Sequence, residues 1–370
     1  MSRSVSTDRP LRLVLIGDGE SPHLLKWARA LAPRLALWAV SSRGFLPGFD
    51  GLLPPDRRLA LGTRPDAAGG NIGLLRQLPA LRRWLLTVQA DWLHAHYLSS
   101  HGTLAWLARR AGAPGRLVGS AWGSDILVTP RHSRLMRAVT RRVLRDCTLA
   151  TSDSQVMTRE MHALGAGEVM TFPFGLEALP EPVPAADKQP WRVFANRGLE
   201  PIYAPERVLA QFAALAAARP EAELVIANDG SLRGALESAA AALPPAIAAR
   251  IRFVGRLDAA TQAQHYRAAR WYVSLPTSDS VAVSVLEAMA HGCIPLLSDL
   301  PANRELVRDG DNGALVPLGA TLAPAAFDAL AARAAAVAAA NHDWVAREAL
   351  FGPCVDRFLD RLRALTPPRR

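Results

Sequence analysis

The stretch Pro276-Thr-Ser-Asp-Ser-Val-Ala-Val-Ser-Val-Leu-Glu-Ala-Met-Ala-His-Gly-Cys-Ile-Pro295 decides how this chain is read. It sets one acid, Asp279, just ahead of an apolar helix and a second, Glu287, two turns into it. Gly292 stops the helix, and Ile294-Pro-Leu-Leu297 reads as a buried strand. A carboxylate inside an otherwise apolar helix is costly unless it has a partner. The backbone N–H groups of Val281, Ala282 and Val283, at the helix start, form a site for an anion. An acid for hydroxyl groups beside a site for phosphate points to a nucleotide sugar.

Outward from this stretch, short apolar runs alternate with longer amphipathic ones, the pattern of a doubly wound α/β fold. Strands are predicted at 11–16, 35–40, 91–96, 116–121, 148–152 and 168–172, with helices at 22–32, 74–88, 100–111, 131–145 and 154–164. A proline-rich stretch, Ala178 to Pro190, has no periodicity and reads as a linker. The pattern then restarts, with strands at 192–196, 223–227, 251–255, 271–275, 294–297 and 314–316. Helices are predicted at 204–218, 231–242, 259–269, 283–291 and 323–340. Two sheet domains on one linker predict a cleft faced by strand C-terminal ends, where such folds bind ligands.

At 370 residues the chain exceeds what one hydrophobic core usually supports. No apolar run approaches the ~20 residues of a membrane span. Met1 to Pro10 is polar, unlike a signal peptide. Three cysteines without metal-ligand spacing fit free thiols in a reducing cytoplasm. Charge is one-sided: residues 1–180 carry 23 Lys and Arg against 13 Asp and Glu, and residues 181–370 carry 20 of each. Arginine richness alone does not explain that asymmetry, which calls for an anionic partner. Leu74–Leu86 and Arg131–Arg145 combine arginines with an apolar side, as helices that meet anionic lipid do. Nucleic-acid motifs and aromatic–basic interleaving are absent.

With these motifs in view the chain resembles the retaining GT-B glycosyltransferases of family 4, most strongly from Trp191 to Pro317. That family carries two acids separated by seven residues and followed by Ala-Met-Ala and Gly, the spacing of Asp279 and Glu287. The resemblance implies two Rossmann-like domains: 1–180 for the acceptor, a linker at 181–190, and 191–350 for the nucleotide sugar. A C-terminal helix, 351–370, would pack back on the first domain. It implies that Glu287 holds the ribose hydroxyls, that Asp279 contacts the donor sugar, and that Arg197, in Phe194-Ala-Asn-Arg-Gly, grips the diphosphate. Ser280, Val281, Ala282, Val283, Asp229, Gly255, Arg256 and Glu305 complete the expected donor site. The family usually has a Lys about five residues after the Arg. Here Ile202 and Tyr203 stand in that region, so either the helix N-terminus and Arg197 suffice or another arginine, Arg233, replaces the Lys. Asn228 stands where the family's Gly-Asp-Gly turn has its first glycine.

In the first half, Gly17-Asp-Gly-Glu-Ser-Pro-His23 follows a strand, but Pro22 occupies the third-glycine position of a dinucleotide fingerprint, which argues against a nicotinamide site. By resemblance the acceptor is met by His23, His96, Trp122 and Asp125, Trp122 standing where many relatives have a histidine. Asp309-Gly-Asp311 has the look of a metal-diphosphate motif, yet it lies in a turn-rich run, so neither a metal nor a cofactor beyond the nucleotide sugar is expected. The implied reaction moves a sugar, with retention, to a cell-envelope glycan, lipid-linked or small-molecule acceptor. The implied place is the cytoplasm, peripherally on the inner face of the membrane. The alternatives are a non-catalytic scaffold at the membrane, or a phosphorylase or epimerase on the same fold.

Overall fold

The computed structural model of the protein describes residues 10–63 and 72–367. The chain divides into two compact units: Met1–Asp153 with Met157–Thr171 and Gly352–Arg370, and Ser154–Val156 with Phe172–Phe351.

The first unit is built on seven parallel strands: β1 (Arg12–Gly17), β2 (Ala36–Ser41), β3 (Arg58–Ala60), β4 (Trp92–His96), β5 (Arg116–Ser120), β6 (Leu149–Ser152) and β7 (Val169–Thr171), in the order β3-β2-β1-β4-β5-β6-β7. The second has six: β8 (Gln189–Ala195), β9 (Glu223–Ala227), β10 (Ile251–Gly255), β11 (Ala269–Ser274), β12 (Ile294–Ser298) and β13 (Ala314–Val316), in the order β10-β9-β8-β11-β12-β13. Both are Rossmann-like sheets. Their central strands are buried on both faces, so Leu13 to Ile16 and Ile294 to Ser298 are continuous buried runs rather than alternating ones.

Several local features depart from the sequence expectations. β3 is an added edge strand, too short to show a period. The helix expected at 74–88 breaks into Ile72–Leu75 and Leu78–Val88, with Pro79 in the first turn of the second. The helix expected at 323–340 is two, Pro324–Ala331 and Ala334–Glu348. β8 begins at Gln189, inside the expected linker, and Lys188 just before it is buried. Its ammonium donates to the carbonyls of Tyr266 (2.7 Å) and Ala269 (2.9 Å).

Phe351–Leu365 forms a helix that belongs to the first unit from Gly352 onward. Arg361 grips Glu168 through both carboxylate oxygens (2.5 and 2.6 Å), and Phe358 packs on Trp27 and His94. Just before it, Leu176 and Leu350 pair as an isolated bridge within the second unit. Gly175 there lies so close to the Ala349 carbonyl that no side chain fits.

Candidate active site

In the second unit the strand order reverses between β8 and β11, and the loops leaving these neighbours open a crevice at their C-terminal ends. β8 delivers Arg197 and β11 delivers Asp279. Arg197 Nη2 lies 2.8 Å from Asp279 Oδ2, with the two side chains 17% and 20% exposed. The Ser280 N–H donates to the other oxygen (3.0 Å). Burial works against charge on both groups. For Arg197, Asp279 and then Tyr203 and Tyr272 more than offset it, and its pKa rises. For Asp279 burial dominates, lifting the carboxyl above its ordinary range against the pull of Arg197. The Tyr203 ring lies 4.4 Å from the guanidinium carbon. Where the resemblance expects a second cation, this chain places a π-face on the first one.

The helix Val283–Ala290 begins beside this pair. Its N-cap, Ala282, offers no side-chain cap. Among the described residues the N–H groups of Val281, Ala282 and Val283 donate to no protein acceptor. They carry the positive end of the helix dipole. Ser280 Oγ lies 2.8 Å from Ser154 Oγ, a residue of the same unit.

Glu287 is half-buried on the same helix. Gln262 Nε2 and Tyr266 Oη both donate to its Oε2, at 2.7 and 3.0 Å. Behind them, Asn228 Nδ2 donates to Asn196 Oδ1 (3.0 Å), and Asn196 Nδ2 reaches Tyr266 Oη (3.1 Å). Asn228 takes φ +77°, the left-handed region that asparagine tolerates, which is how it stands in for glycine. Sequence reasoning missed Asn196, Gln262 and Tyr266. Their polar types carried no motif, and two separate elements, the end of β8 and the helix Ala259–Ala268 that carries both Gln262 and Tyr266, bring them together.

The other expected donor residues are spread around this centre. Gly255 ends β10 with φ +71° and accepts from the Asn228 N–H (2.6 Å). Arg256 and Asp229 are exposed, and Asp229 caps the Gly230 N–H (2.9 Å). Glu305 accepts the N–H groups of Gln155 and Val156 (2.8 Å each), so its carboxylate is engaged with backbone of this unit. Arg233, considered for the missing lysine, pairs with Glu237 (2.8 Å). Asp309 accepts the Leu315 N–H (2.8 Å) and Asp311 pairs with Arg333 (2.9 Å). Among the described residues no group of three or more His, Cys, Asp and Glu could hold a metal ion.

In the first unit, His23, His96 and Trp122 come together. Trp122 Nε1 donates to His96 Nδ1 (3.0 Å), which leaves the imidazole proton on Nε2. The His23 ring lies 4.8 Å from Trp122, and Tyr97 stacks at 5.9 Å. Burial, then His94, His101 and His23, hold the His96 pKa well below its usual value, so the ring is neutral. Burial lowers His94 to about 3 and His101 to about 4. Asp125 is 1% exposed and accepts the N–H groups of Trp122 (2.9 Å) and Leu98 (2.8 Å). Burial raises its pKa against these bonds. Its carboxylate organises the loop that presents Trp122.

Comparison with known proteins matches residues 192–336 to the family model described as glycosyl transferases group 1, and residues 12–154 to glycosyl transferase 4-like. The chain is 29% identical over 274 residues to a phosphatidyl-myo-inositol mannosyltransferase of Mycolicibacterium smegmatis, covering 69% of this chain and 66% of that protein. It is 26% identical over 338 residues to the Mycobacterium leprae protein of the same name, covering 86% and 84%. Anabaena HepE, solved in complex with UDP and glucose, superposes with a TM-score of 0.76 at 15% identity, over 96% of this chain and 100% of that one.

Proposed function

This chain belongs to the group 1 glycosyltransferases of GT-B fold, and from that premise we propose that it moves a sugar from a nucleoside-diphosphate sugar to a lipid-linked acceptor of the cell envelope, with retention at the anomeric carbon. The observation that carries the donor reading is the Arg197–Asp279 pair beside the uncapped start of the Val283–Ala290 helix. When the anomeric C–O bond breaks, negative charge collects on the departing diphosphate. Arg197 and the N–H groups of Val281, Ala282 and Val283 are set to receive that charge without reorganising. Asp279 would accept from a donor-sugar hydroxyl, and Glu287 from the ribose. Retention rests on the family pattern, since no side chain here is a convincing covalent nucleophile.

The acceptor reading rests on the first unit. His23 and Trp122, their rings tilted against each other beside a neutral His96, offer ring faces to an acceptor. The named relatives act on phosphatidyl-myo-inositol, which supports a lipid-linked acceptor for this chain as well. The helix Arg134–Asp146 exposes Arg134, Arg137, Arg141, Arg142 and Arg145 together with Leu135, which is 73% exposed. Among the described residues none of these five arginines has a carboxylate partner. Such a face suits an anionic membrane, with the protein working peripherally on its cytoplasmic side. Among the described residues no helix is long and apolar enough to cross a membrane.

The test is incubation with a panel of nucleotide sugars, GDP-mannose and UDP-glucose among them, and phosphatidylinositol vesicles. Donor consumption and a glycosylated lipid are expected. Donor cleavage only with inorganic phosphate would identify a phosphorylase, and no turnover with any donor would favour the scaffold.

A further inference from the structure

We propose that Tyr266, steered by Asn196 and Asn228, is a positioning residue that aims Glu287 at the ribose, so that the enzyme's preference for ribonucleotide donors depends on a phenol that never touches the substrate. The inference rests on the reading of Glu287 as the ribose ligand and goes beyond it.

The bonds run in one direction. Asn228 donates to Asn196 (3.0 Å), Asn196 donates to Tyr266 Oη (3.1 Å), and Tyr266 donates to Glu287 Oε2 (3.0 Å). Because the amide NH2 of Asn196 is a donor only, the phenol oxygen accepts there and keeps its proton to give. Two acceptors compete for that single proton, Glu287 Oε2 at 3.0 Å and the Ser284 carbonyl at 3.2 Å. The carboxylate is the nearer and the charged one, and charge-assisted bonds are the stronger. Gln262 donates to the same Oε2 at 2.7 Å. Two donors fixed on one oxygen set the rotation of the carboxylate.

The phenol itself has little freedom. Tyr266 is 1% exposed, with its ring 5.0 Å from Phe194, 5.7 Å from Tyr272 and 5.4 Å from His291. Burial, with Tyr272 and Glu287, keeps its pKa far above neutrality, so the proton stays available. At the far end, Asn228 is held in the left-handed region, its N–H on the Gly255 carbonyl (2.6 Å). The relay therefore joins the ends of β8, β9 and β10 to the helix that carries Glu287.

The experiment measures binding of UDP and GDP against their 2′,3′-dideoxy counterparts for the parent, Tyr266→Phe, Gln262→Leu and Glu287→Ala. Phenylalanine keeps the ring packing and removes only the hydroxyl. Tyr266→Phe is expected to weaken the ribonucleotide about 3- to 10-fold, as loss of one hydrogen bond does, and to leave the dideoxy form within about twofold. Gln262 is half-buried at the helix surface, so Gln262→Leu gives the same signature without touching the core should Tyr266→Phe fail to fold. If Glu287→Ala loses the ribose preference while Tyr266→Phe and Gln262→Leu both keep it, the positioning inference is overturned and the ribose reading stands. Equal weakening of both nucleotide forms by Tyr266→Phe would mark a merely structural role and also overturn it. If Glu287→Ala keeps the preference, the ribose reading itself falls.

Discussion

Replacing Arg197 with alanine removes the proposed phosphate grip and the partner of a largely buried acid at once, and a melt resolved by pH separates the two. Burial already lifts the Asp279 carboxyl, with Arg197 and the Ser280 N–H pulling against it. Without the guanidinium only the weaker opposition remains, and the carboxyl rises further. An acid whose folded pKa lies above its unfolded value destabilises the protein progressively as pH climbs from the unfolded pKa through the folded one. The variant should therefore trail the parent most at pH 8 and least at acid pH. Breaking a fully buried pair costs about 3–5 kcal/mol, and an exposed pair is worth under about 1. With both side chains roughly one-fifth exposed, the deficit at pH 8 should be about 2 kcal/mol, including the lost contact with Tyr203. For a unit of this size that is roughly 4–8 °C in Tm. Calorimetry with UDP and GDP should show binding weakened about 10- to 150-fold, the worth of a charged hydrogen bond. A melting deficit identical at pH 8 and pH 4.5, together with unchanged nucleotide affinity, would refute both halves of the reasoning.

Other outcomes follow from the same geometry. Gly175→Ala should destabilise by about 2–4 kcal/mol, read as denaturant midpoint, because its methyl would overlap the Ala349 carbonyl. Trp122→Phe removes the donor to His96 Nδ1 and should raise acceptor KM with donor KM unchanged, and a change in both would place Trp122 outside the acceptor site. Arg137→Gln with Arg141→Gln should weaken binding to anionic vesicles by about 1 kcal/mol per residue at low salt, with the effect fading as salt rises. Nucleotide affinity should not move. If the parent ignores such vesicles, the basic face serves an anionic acceptor instead. Turnover should persist in excess chelator, and loss restored by magnesium or manganese would overturn the expectation that no metal is needed.

Much of the architecture was legible because it rests on local rules. Buried parallel strands read as continuous apolar runs, and the restart of the α/β pattern after Pro190 announced a second sheet. The spacing of Asp279 and Glu287 put one acid just ahead of a helix and the other on it, since helical periodicity converts spacing into position. Sequence alone also set the charge asymmetry, which is a sum over residues and needs no fold. What only tertiary structure decided is which groups meet. Nothing local predicts that Tyr203 would cover Arg197, that Glu305 would turn to Gln155 and Val156, or that Asp125 would serve the loop beneath Trp122. The relay from Asn228 to Glu287 is likewise assembled from the ends of β8 and β9 and two helices, Ala259–Ala268 and Val283–Ala290. Hydrogen bonds of this kind depend on distances of about 3 Å between elements that only a packed core brings into register, and a linear pattern carries no record of them.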